Sequence, residues 1–243
     1  MKINVIGFDA DDTLWHNEIL YTKAKDQFQE LLIPHQDPGT ARGRLDQIEE
    51  WNVRLYGYGI KSFALSMMEA ALEISAGQIE GARLAQILDI IKGMLTAEVE
   101  PIEPVGPTLA LLAQQYPLML ITKGDYFEQH RKIERSGLAK YFRYIEIVVD
   151  KTPESYHGVL AKYHLSPEGF LMVGNSLRSD ILPVLEIGGQ AVYIPYASTW
   201  AHEAVEASKM EPYHYFELEH LGQLPALVDQ LTTTRFSHKP GHR

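Results

Sequence analysis

The sequence predicts an α/β fold, a doubly wound parallel sheet into which an all-helical segment is inserted. Over the second half of the chain, short apolar runs of strand length alternate with helical patterns, which is the order found in parallel sheets wound by helices. A similar apolar run, residues 5–8, opens the chain and stops at the carboxylates of Asp9, Asp11 and Asp12. Between these two parts, residues 17–96 carry helical periodicity and almost no strand signal.

The inserted segment is predicted to form four helices, because apolar residues recur there three and four positions apart. These helices end, in order, near Pro34, Gly57, Ile74 and Leu95. The Pro- and Glu-rich link 98–104 that follows cannot continue a helix because of its prolines. We therefore predict a core domain made of residues 1–16 and 98–243, and a helical domain of residues 17–97 inserted into it.

The remaining elements are predicted from periodicity and from turn residues. The predicted helices cover 107–115, 127–136, 153–163, 179–187 and a stretch near 221–231. The predicted strands cover 118–122, 144–149, 170–173 and 190–194. The opening run 5–8 is expected to join these strands in one sheet.

Composition excludes several classes of function. The 243 residues include 22 Lys and Arg against 32 Asp and Glu, a formal charge of −10, whereas nucleic-acid and anionic-membrane binders need a basic face. There is no cysteine, which excludes disulfides, thiolate catalysis and cysteine-ligated metals. The first strand begins within the first five residues, and no apolar run has the length of a membrane span. We expect a soluble cytoplasmic protein; its oligomeric state stays open.

Polar and reactive residues follow each of several predicted strands. Thr122 and Lys123 follow one strand, Lys151 another, and Asn175 a third, with Asp180 close behind. The carboxyl ends of parallel strands meet at one edge, where such sheets bind ligands. An isolated acidic turn such as 9–13 could simply be solvated, but carboxylates beside a hydroxyl and a lysine form a site suited to a metal ion and a phosphoryl group.

These residues resemble the motifs of the haloacid dehalogenase (HAD) superfamily. The first motif, D-x-D-x-T, is matched by residues 9–13, the second by Thr122 and the third by Lys151. The fourth, usually G-D-x-x-x-x-D, corresponds to residues 174–180. Because the motifs occur in the family's order over nearly the whole chain, the chain looks like a member of the phosphatase-like branch, with a Rossmann-like core and an inserted helical cap.

The resemblance implies specific catalytic roles. Asp9 would be the nucleophile that forms an aspartyl-phosphate, and Asp11 would act first as general acid and then as general base. Thr122 would hydrogen-bond the phosphoryl oxygens and Lys151 would bridge nucleophile and phosphate. Lys123, next to Thr122, would help to hold an anionic substrate, although a lysine that faces solvent is an equally good interpretation.

The resemblance also implies a Mg²⁺ site made of the Asp9 carboxylate, the Asp11 carbonyl, Asn175 and Asp180. Here the chain departs from the family, because Asn175 stands where an Asp is usual. The lost formal charge is expected to weaken metal binding or to shift the load to Asp180.

The implied function is a Mg²⁺-dependent phosphatase that hydrolyses a small-molecule phosphate monoester. Three alternatives stay open. A non-catalytic or weakly active phosphate-binding or interaction protein is favoured by Asn175 alone. A 2-haloacid dehalogenase is disfavoured by Asp11, because dehalogenases of the superfamily lack that second carboxylate. A phosphomutase is the third and, like the dehalogenase, is less favoured than a phosphatase.

Overall fold

The computed structural model describes residues 2–33, 35–197, 205 and 207–233. Within them, six strands form one sheet in the order β3-β2-β1-β4-β5-β6. The strands are β1 (Val5–Phe8), β2 (Leu118–Lys123), β3 (Tyr144–Val148), β4 (Phe170–Gly174), β5 (Gln190–Tyr193) and β6 (Phe216–Glu217). The predicted α/β class with a parallel sheet is confirmed.

The strand β1 lies at the centre of the sheet. It pairs in parallel with β2, Phe8 opposite Leu120, and with β4, Phe8 opposite Val173. Every residue of β1 and β4 is buried, which explains why both read as continuous apolar runs rather than as alternating patterns. The strand β6 was not predicted, because two residues are too few to show a pattern.

Helices connect the strands. They are α5 (Val105–Leu112), α6 (Tyr126–Arg135), α7 (Pro153–Lys162), α8 (Leu182–Glu186), α9 (Ala207–Met210) and α10 (Leu224–Thr233). The predicted helix 179–187 is split in the structure. A π-helical turn, Leu177–Ile181, comes first, because the Ser176 carbonyl accepts hydrogen bonds from both Asp180 N (2.9 Å) and Ile181 N (3.2 Å).

The chain divides into two compact units. The first comprises Met1–His16, Glu100–Thr122 and Ser136–Arg243, and the second comprises Asn17–Val99 and Lys123–Arg135. The second unit therefore contains α6 together with the helices of residues 17–99. This differs from the predicted boundaries by one helix, which no sequence pattern indicated.

The second unit, called the helical unit below, also contains α1 (Glu18–Leu32), α2 (Pro38–Tyr56), α3 (Ile60–Ile74) and α4 (Gly81–Thr96). The helix α2 begins where Asp37 caps it, its carboxylate accepting a hydrogen bond from Thr40 N at 3.1 Å. Phe28, Leu45 and Met67 are fully buried in the helical core. Phe28 and Met67 are thus core, as their helical spacing predicts, whereas Trp51 on α2 is exposed.

Polar contacts tie α6 to the rest of the helical unit. The buried Glu128 carboxylate accepts a hydrogen bond from Ile60 N at 2.9 Å, at the first residue of α3. Asp125 caps α6 by accepting from Glu128 N at 3.0 Å, and its other oxygen pairs with Lys61 at 2.8 Å. Near the other end of α6, Arg135 donates to the Leu95 carbonyl at 3.3 Å.

No helix in the part of the chain that the structure describes combines the length and the apolar character needed to cross a membrane.

Candidate active site

The nucleophile predicted from the first motif lies directly after the central strand. Asp9 follows Phe8, and its backbone N–H donates to the Val173 carbonyl of β4 at 2.9 Å, so the main chain at this point is still held by the sheet. The Asp9 side chain is only 10% exposed. A carboxylate is thus fixed at the carboxyl end of β1, the edge where open α/β sheets bind ligands.

Lys151 connects the first predicted motif to the fourth. Its Nζ lies 2.5 Å from Asp9 Oδ1 and 2.7 Å from Asp180 Oδ1, and its side chain is 2% exposed. Lys151 lies in the segment between β3 and α7. The helix α7 begins at Pro153, and the Thr152 hydroxyl caps it by accepting a hydrogen bond from Ser155 N at 3.2 Å. One ammonium group therefore bridges two buried carboxylates that lie far apart in the sequence.

The protonation of this cluster follows from burial and charge. Burial raises the pKa of Asp9 to about 7; Lys151 opposes the shift, while the neighbouring carboxylates of Asp180 and Asp11 add to it. Burial by itself lowers the pKa of Lys151, but Asp180 and Asp9 outweigh it and hold the pKa well above the usual range. Lys151 stays charged, and one ammonium does not fully compensate the negative charge around Asp9.

The hydroxyl of Thr13 lies within hydrogen-bonding distance of one oxygen of Asp9 and one oxygen of Asn175. Thr13 Oγ1 lies 3.0 Å from Asp9 Oδ2 and 3.2 Å from Asn175 Oδ1. Thr13 reaches this place because the turn after Asp9 is closed by hydrogen bonds from Thr13 N and Leu14 N to the Ala10 carbonyl. The structure thus brings Asn175 beside Asp9, although the two are separated by most of the chain.

Asp180 is held by its surroundings on both carboxylate oxygens. Besides the contact of Oδ1 with Lys151, Oδ2 accepts a hydrogen bond from Ser176 N at 3.0 Å. A side chain at Gly174 would place its Cβ 2.3–2.5 Å from the Asp180 carboxyl group, so glycine is required for this close approach. Because both oxygens have partners inside the protein, direct metal binding by Asp180 stays a prediction.

Asp11 lies in the turn that follows Asp9. Its Oδ1 accepts a hydrogen bond of 2.7 Å from the indole Nε1 of Trp15, and the Trp15 side chain is fully buried. The next residue, Asp12, adopts a left-handed backbone conformation with φ = 62°, and its N–H donates to the Trp15 carbonyl at 2.8 Å. Asp12 therefore contributes to the turn through its backbone, whereas the carboxylate of Asp11 is hydrogen-bonded to the indole of Trp15.

The two remaining predicted site residues lie near the carboxyl end of β2. Thr122 is 1% exposed, and continuing the pairing of Phe8 with Leu120 by two residues puts it at the level of Ala10. Lys123 belongs to the helical unit, where its Nζ lies 4.2 Å from the ring centroid of Tyr58.

The oxygen donors beside Asp9 suit a divalent cation. Among the described residues, no three His, Cys, Asp or Glu side chains converge as a metal site, so binding would depend on amide and backbone oxygens as well. The oxygens of Asp9 and Asn175 already converge on one hydroxyl, and the carboxylates of Asp180 and Asp11 add to the burial that raises the pKa of Asp9. An all-oxygen set with excess negative charge fits Mg²⁺.

Sequence reasoning assigned no role to Thr13, Ser176 or Trp15. Thr13 is part of the first motif, so its place beside Asp9 could have been inferred. The contribution of Ser176 is a backbone N–H, which no side-chain pattern reveals. For Trp15, the folded turn alone shows the hydrogen bond to Asp11.

Known proteins resemble this chain in sequence. A family model described as haloacid dehalogenase-like hydrolase matches residues 3–188. The glyceraldehyde 3-phosphate phosphatase of Pyrococcus furiosus is 26% identical over 253 aligned positions, which cover 99% of this chain and 98% of that protein.

Solved structures share the fold. A haloacid dehalogenase-like family hydrolase from Xanthomonas campestris superposes with a TM-score of 0.85 at 38% identity, covering 96% of this chain and 93% of that one. The YfnB protein of Bacillus subtilis, described as bound to magnesium, superposes with a TM-score of 0.67 at 18% identity, covering 94% of this chain and 100% of that one. At that identity the second likeness concerns the fold alone.

Proposed function

Because this chain belongs to the haloacid dehalogenase-like hydrolase family, we propose that it is a phosphatase that hydrolyses a small-molecule phosphate monoester with the help of Mg²⁺. The observation that carries the proposal is the bridge of Lys151 between Asp9 and Asp180 at the end of the central strand. The relationship to a protein named glyceraldehyde 3-phosphate phosphatase supports a small phosphorylated metabolite as substrate. Cytoplasmic location stays a prediction.

The first half of the reaction forms a covalent intermediate. A carboxylate oxygen of Asp9 attacks phosphorus, the bond between phosphorus and the leaving oxygen breaks, and Asp11 gives its proton to that oxygen. Lys151 keeps its positive charge and stabilises the negative charge that the phosphoryl oxygens bring into the site. Thr122 is proposed to donate a hydrogen bond to one of these oxygens.

The second half restores the enzyme. Water attacks the phosphorus of the aspartyl-phosphate, Asp11 takes a proton from that water, and inorganic phosphate leaves as the Asp9 carboxylate is released. Asp180 reacts with nothing in this scheme. Its role is to hold Lys151, which it contacts at 2.7 Å.

The proposed metal ligands are the Asp9 carboxylate, the Asp11 carbonyl and Asn175, with Asp180 as the further candidate from the fourth motif. Bound Mg²⁺ would supply positive charge beside the phosphoryl oxygens. With Asn175 in place of a carboxylate, the affinity is expected to be lower than the family pattern implies. Activity should therefore require millimolar rather than micromolar Mg²⁺.

The test is phosphate release by the purified full chain. Substrates would be p-nitrophenyl phosphate and a panel of small phosphate esters that includes glyceraldehyde 3-phosphate, each with Mg²⁺ and with a chelator. We expect hydrolysis that depends on Mg²⁺ and is lost in Asp9→Asn. Asp12→Asn is the matched control, because asparagine tolerates the left-handed backbone at that position and activity should persist.

Two results would exclude the proposal. Release of halide from a 2-haloacid without phosphate release would identify a dehalogenase. Calorimetric binding of inorganic phosphate without turnover, in the presence of any divalent metal, would identify the phosphate-binding protein that Asn175 alone favours.

A further inference from the structure

In the hydrogen bond between Trp15 and Asp11, Trp15 can only be the donor. The indole Nε1 carries one proton and no lone pair, so it only donates, and it lies 2.7 Å from Asp11 Oδ1. In a neutral carboxyl group the C=O oxygen accepts a hydrogen bond more strongly than the O–H oxygen does. A proton carried by the Asp11 carboxyl group is therefore favoured on Oδ2 over Oδ1.

The donor is itself held firmly. The Trp15 side chain is 1% exposed, and the residue forms backbone bridges with Asp11 on one side and Pro101 on the other. The bridge to Pro101 consists of two backbone bonds of the neighbouring residues, from His16 N to Glu100 O at 3.0 Å and from Ile102 N to Leu14 O at 2.9 Å. These are the segments where the chain leaves and re-enters the first unit, so Trp15 is anchored at both crossings.

A bond between a buried, anchored donor and a partly exposed carboxylate restricts the side chain that has more freedom. Asp11 is the partly exposed partner, and a free carboxyl group would sample several rotamers. General acid catalysis needs the proton within hydrogen-bond reach of the leaving oxygen, so an acid spread over several rotamers transfers less efficiently.

We propose that Trp15 is a positioning residue for Asp11, holding Oδ1 on the indole so that Oδ2 is the oxygen that gives a proton to the leaving group. The proposal rests on the proposed phosphatase function and adds to it the residue that orients the acid. Neither the motifs of the sequence nor the family match includes this role.

The kinetic test compares two leaving groups in Trp15→Phe, which keeps an aromatic ring but removes the N–H donor. An alkyl phosphate needs a proton on its departing oxygen, whereas p-nitrophenolate leaves well without one. We expect kcat/KM to fall roughly 10- to 100-fold for the alkyl ester and less than about 3-fold for p-nitrophenyl phosphate. Trp51→Phe is the matched control, since Trp51 is exposed on α2 and both rates should persist.

A packing defect would act differently. If Trp15→Phe only disturbed the fold, both esters would lose the same factor, and that result would overturn the proposal. Circular dichroism and thermal unfolding of the variant would be recorded alongside the kinetics.

A second measurement needs no activity. In a ¹H–¹⁵N spectrum of the full chain, the indole signal that disappears in Trp15→Phe should exchange slowly with water, and it should shift more in Asp11→Ala, which removes the acceptor, than in Asp12→Asn. An indole signal that stays in place in Asp11→Ala would overturn the proposal. If the wild-type protein hydrolyses neither ester, the proposed function fails, and the indole signal alone decides whether Trp15 holds Asp11.

Discussion

Burial sets the behaviour of individual charged residues at the end of the central strand. Asp9, Lys151 and Asp180 bring two negative charges and one positive charge into a space from which solvent is largely excluded. Moving charges from water into the protein interior is unfavourable. With two carboxylates and only one ammonium, the cluster does not recover all of the lost hydration free energy through ion pairing. The residues proposed for catalysis are therefore also the ones that lower the stability of the protein when no cation is bound.

The pKa of Asp9 makes this cost measurable. The value is raised from 3.8 to about 7, so between these pH values the folded protein holds a proton that the unfolded chain releases. Stability should fall as the pH rises through this window and stay low above pH 7. In chelator, Asp9→Asn should be more stable than wild type at pH 8, by about 1–4 kcal/mol, and this gain should vanish near pH 4.

Urea unfolding at several pH values measures the difference. Asp89→Asn is the control, because Asp89 is 73% exposed on α4 and its replacement should change little at any pH. A stabilisation by Asp9→Asn that is equal at pH 4 and pH 8 would contradict the burial argument.

Asn175 is the second residue whose effect can be isolated. Its Oδ1 shares the Thr13 hydroxyl with Asp9, so Asn175→Asp would add a formal charge beside the nucleophile. We expect Mg²⁺ to bind about tenfold more tightly, because charge count tunes the affinity of such sites, and the metal-free variant to be less stable than wild type.

Calorimetric titration with Mg²⁺ and thermal unfolding with and without the ion give both quantities. Gln47→Glu adds the same charge at an exposed position of α2 and should leave the Mg²⁺ affinity unchanged. Equal affinities in Asn175→Asp and wild type would show that residue 175 does not face the metal.

At the scale of secondary structure, the end of β4 and the π-helical turn after it together position the carboxylate of Asp180. The turn Leu177–Ile181 carries Asp180 back over the strand end, where Ser176 N and Lys151 hold its carboxylate. From the other side, Tyr156 of α7 donates to the Ser179 carbonyl at 3.0 Å. The close return of the chain is possible only because residue 174 has no side chain.

Gly174→Ala tests whether the missing side chain at residue 174 is needed to position Asp180. Its Cβ would lie within 2.5 Å of the Asp180 carboxyl group, so Asp180 must move and Lys151 loses a partner. We expect a loss of about 1–3 kcal/mol of stability and of most activity. Denaturant unfolding and phosphate release measure the two effects.

A glycine-to-alanine substitution elsewhere should raise the stability of the protein rather than lower it. Gly43 lies inside α2, and a methyl group added there would meet no atom within 4 Å beyond the backbone of its own helix, so Gly43→Ala should gain about 0.5–1 kcal/mol. If the two alanine variants had equal stability, crowding against Asp180 would not be the reason for glycine at 174.

At the scale of the whole molecule, the helical unit is assembled from two separate stretches of chain. Residues 17–99 supply four helices, and residues 123–135 supply α6 from a later part of the sequence. The bonds of Glu128 to Ile60 N and of Asp125 to Lys61 join the two stretches. The order of α6 should therefore depend on the presence of the inserted segment.

Replacing residues 17–99 by a short Gly- and Ser-rich linker tests this dependence. We expect residues 123–135 to lose protection from hydrogen exchange in the shortened chain, because Glu128 loses its bond to Ile60 N and Asp125 its bond to Lys61. The strands β1 and β4, buried in the other unit, serve as the internal reference and should stay protected. Undiminished protection of α6 would contradict the dependence.

The sequence by itself determined the fold class and where along the chain the main strands lie, and it supplied the candidate residues of the site. This was possible because a central strand in a parallel sheet must be continuously apolar, and because the carboxyl ends of such strands collect at one edge. The short strand β6 and the splitting of helix 179–187 were not predictable, since two residues show no period and a π-helical turn depends on where its carbonyl acceptors lie.

Tertiary structure decided how the predicted residues are connected. Only the folded chain shows that Lys151 joins Asp9 to Asp180, that Thr13 places Asn175 beside Asp9, that Trp15 binds Asp11, and that α6 clusters with the inserted helices. The physical reason is that these contacts depend on distances between atoms that are remote in sequence or lie across a tight turn. Residue type states which chemistry is available, whereas burial and distance decide which carboxylate is bridged, which is oriented and which only shapes the backbone.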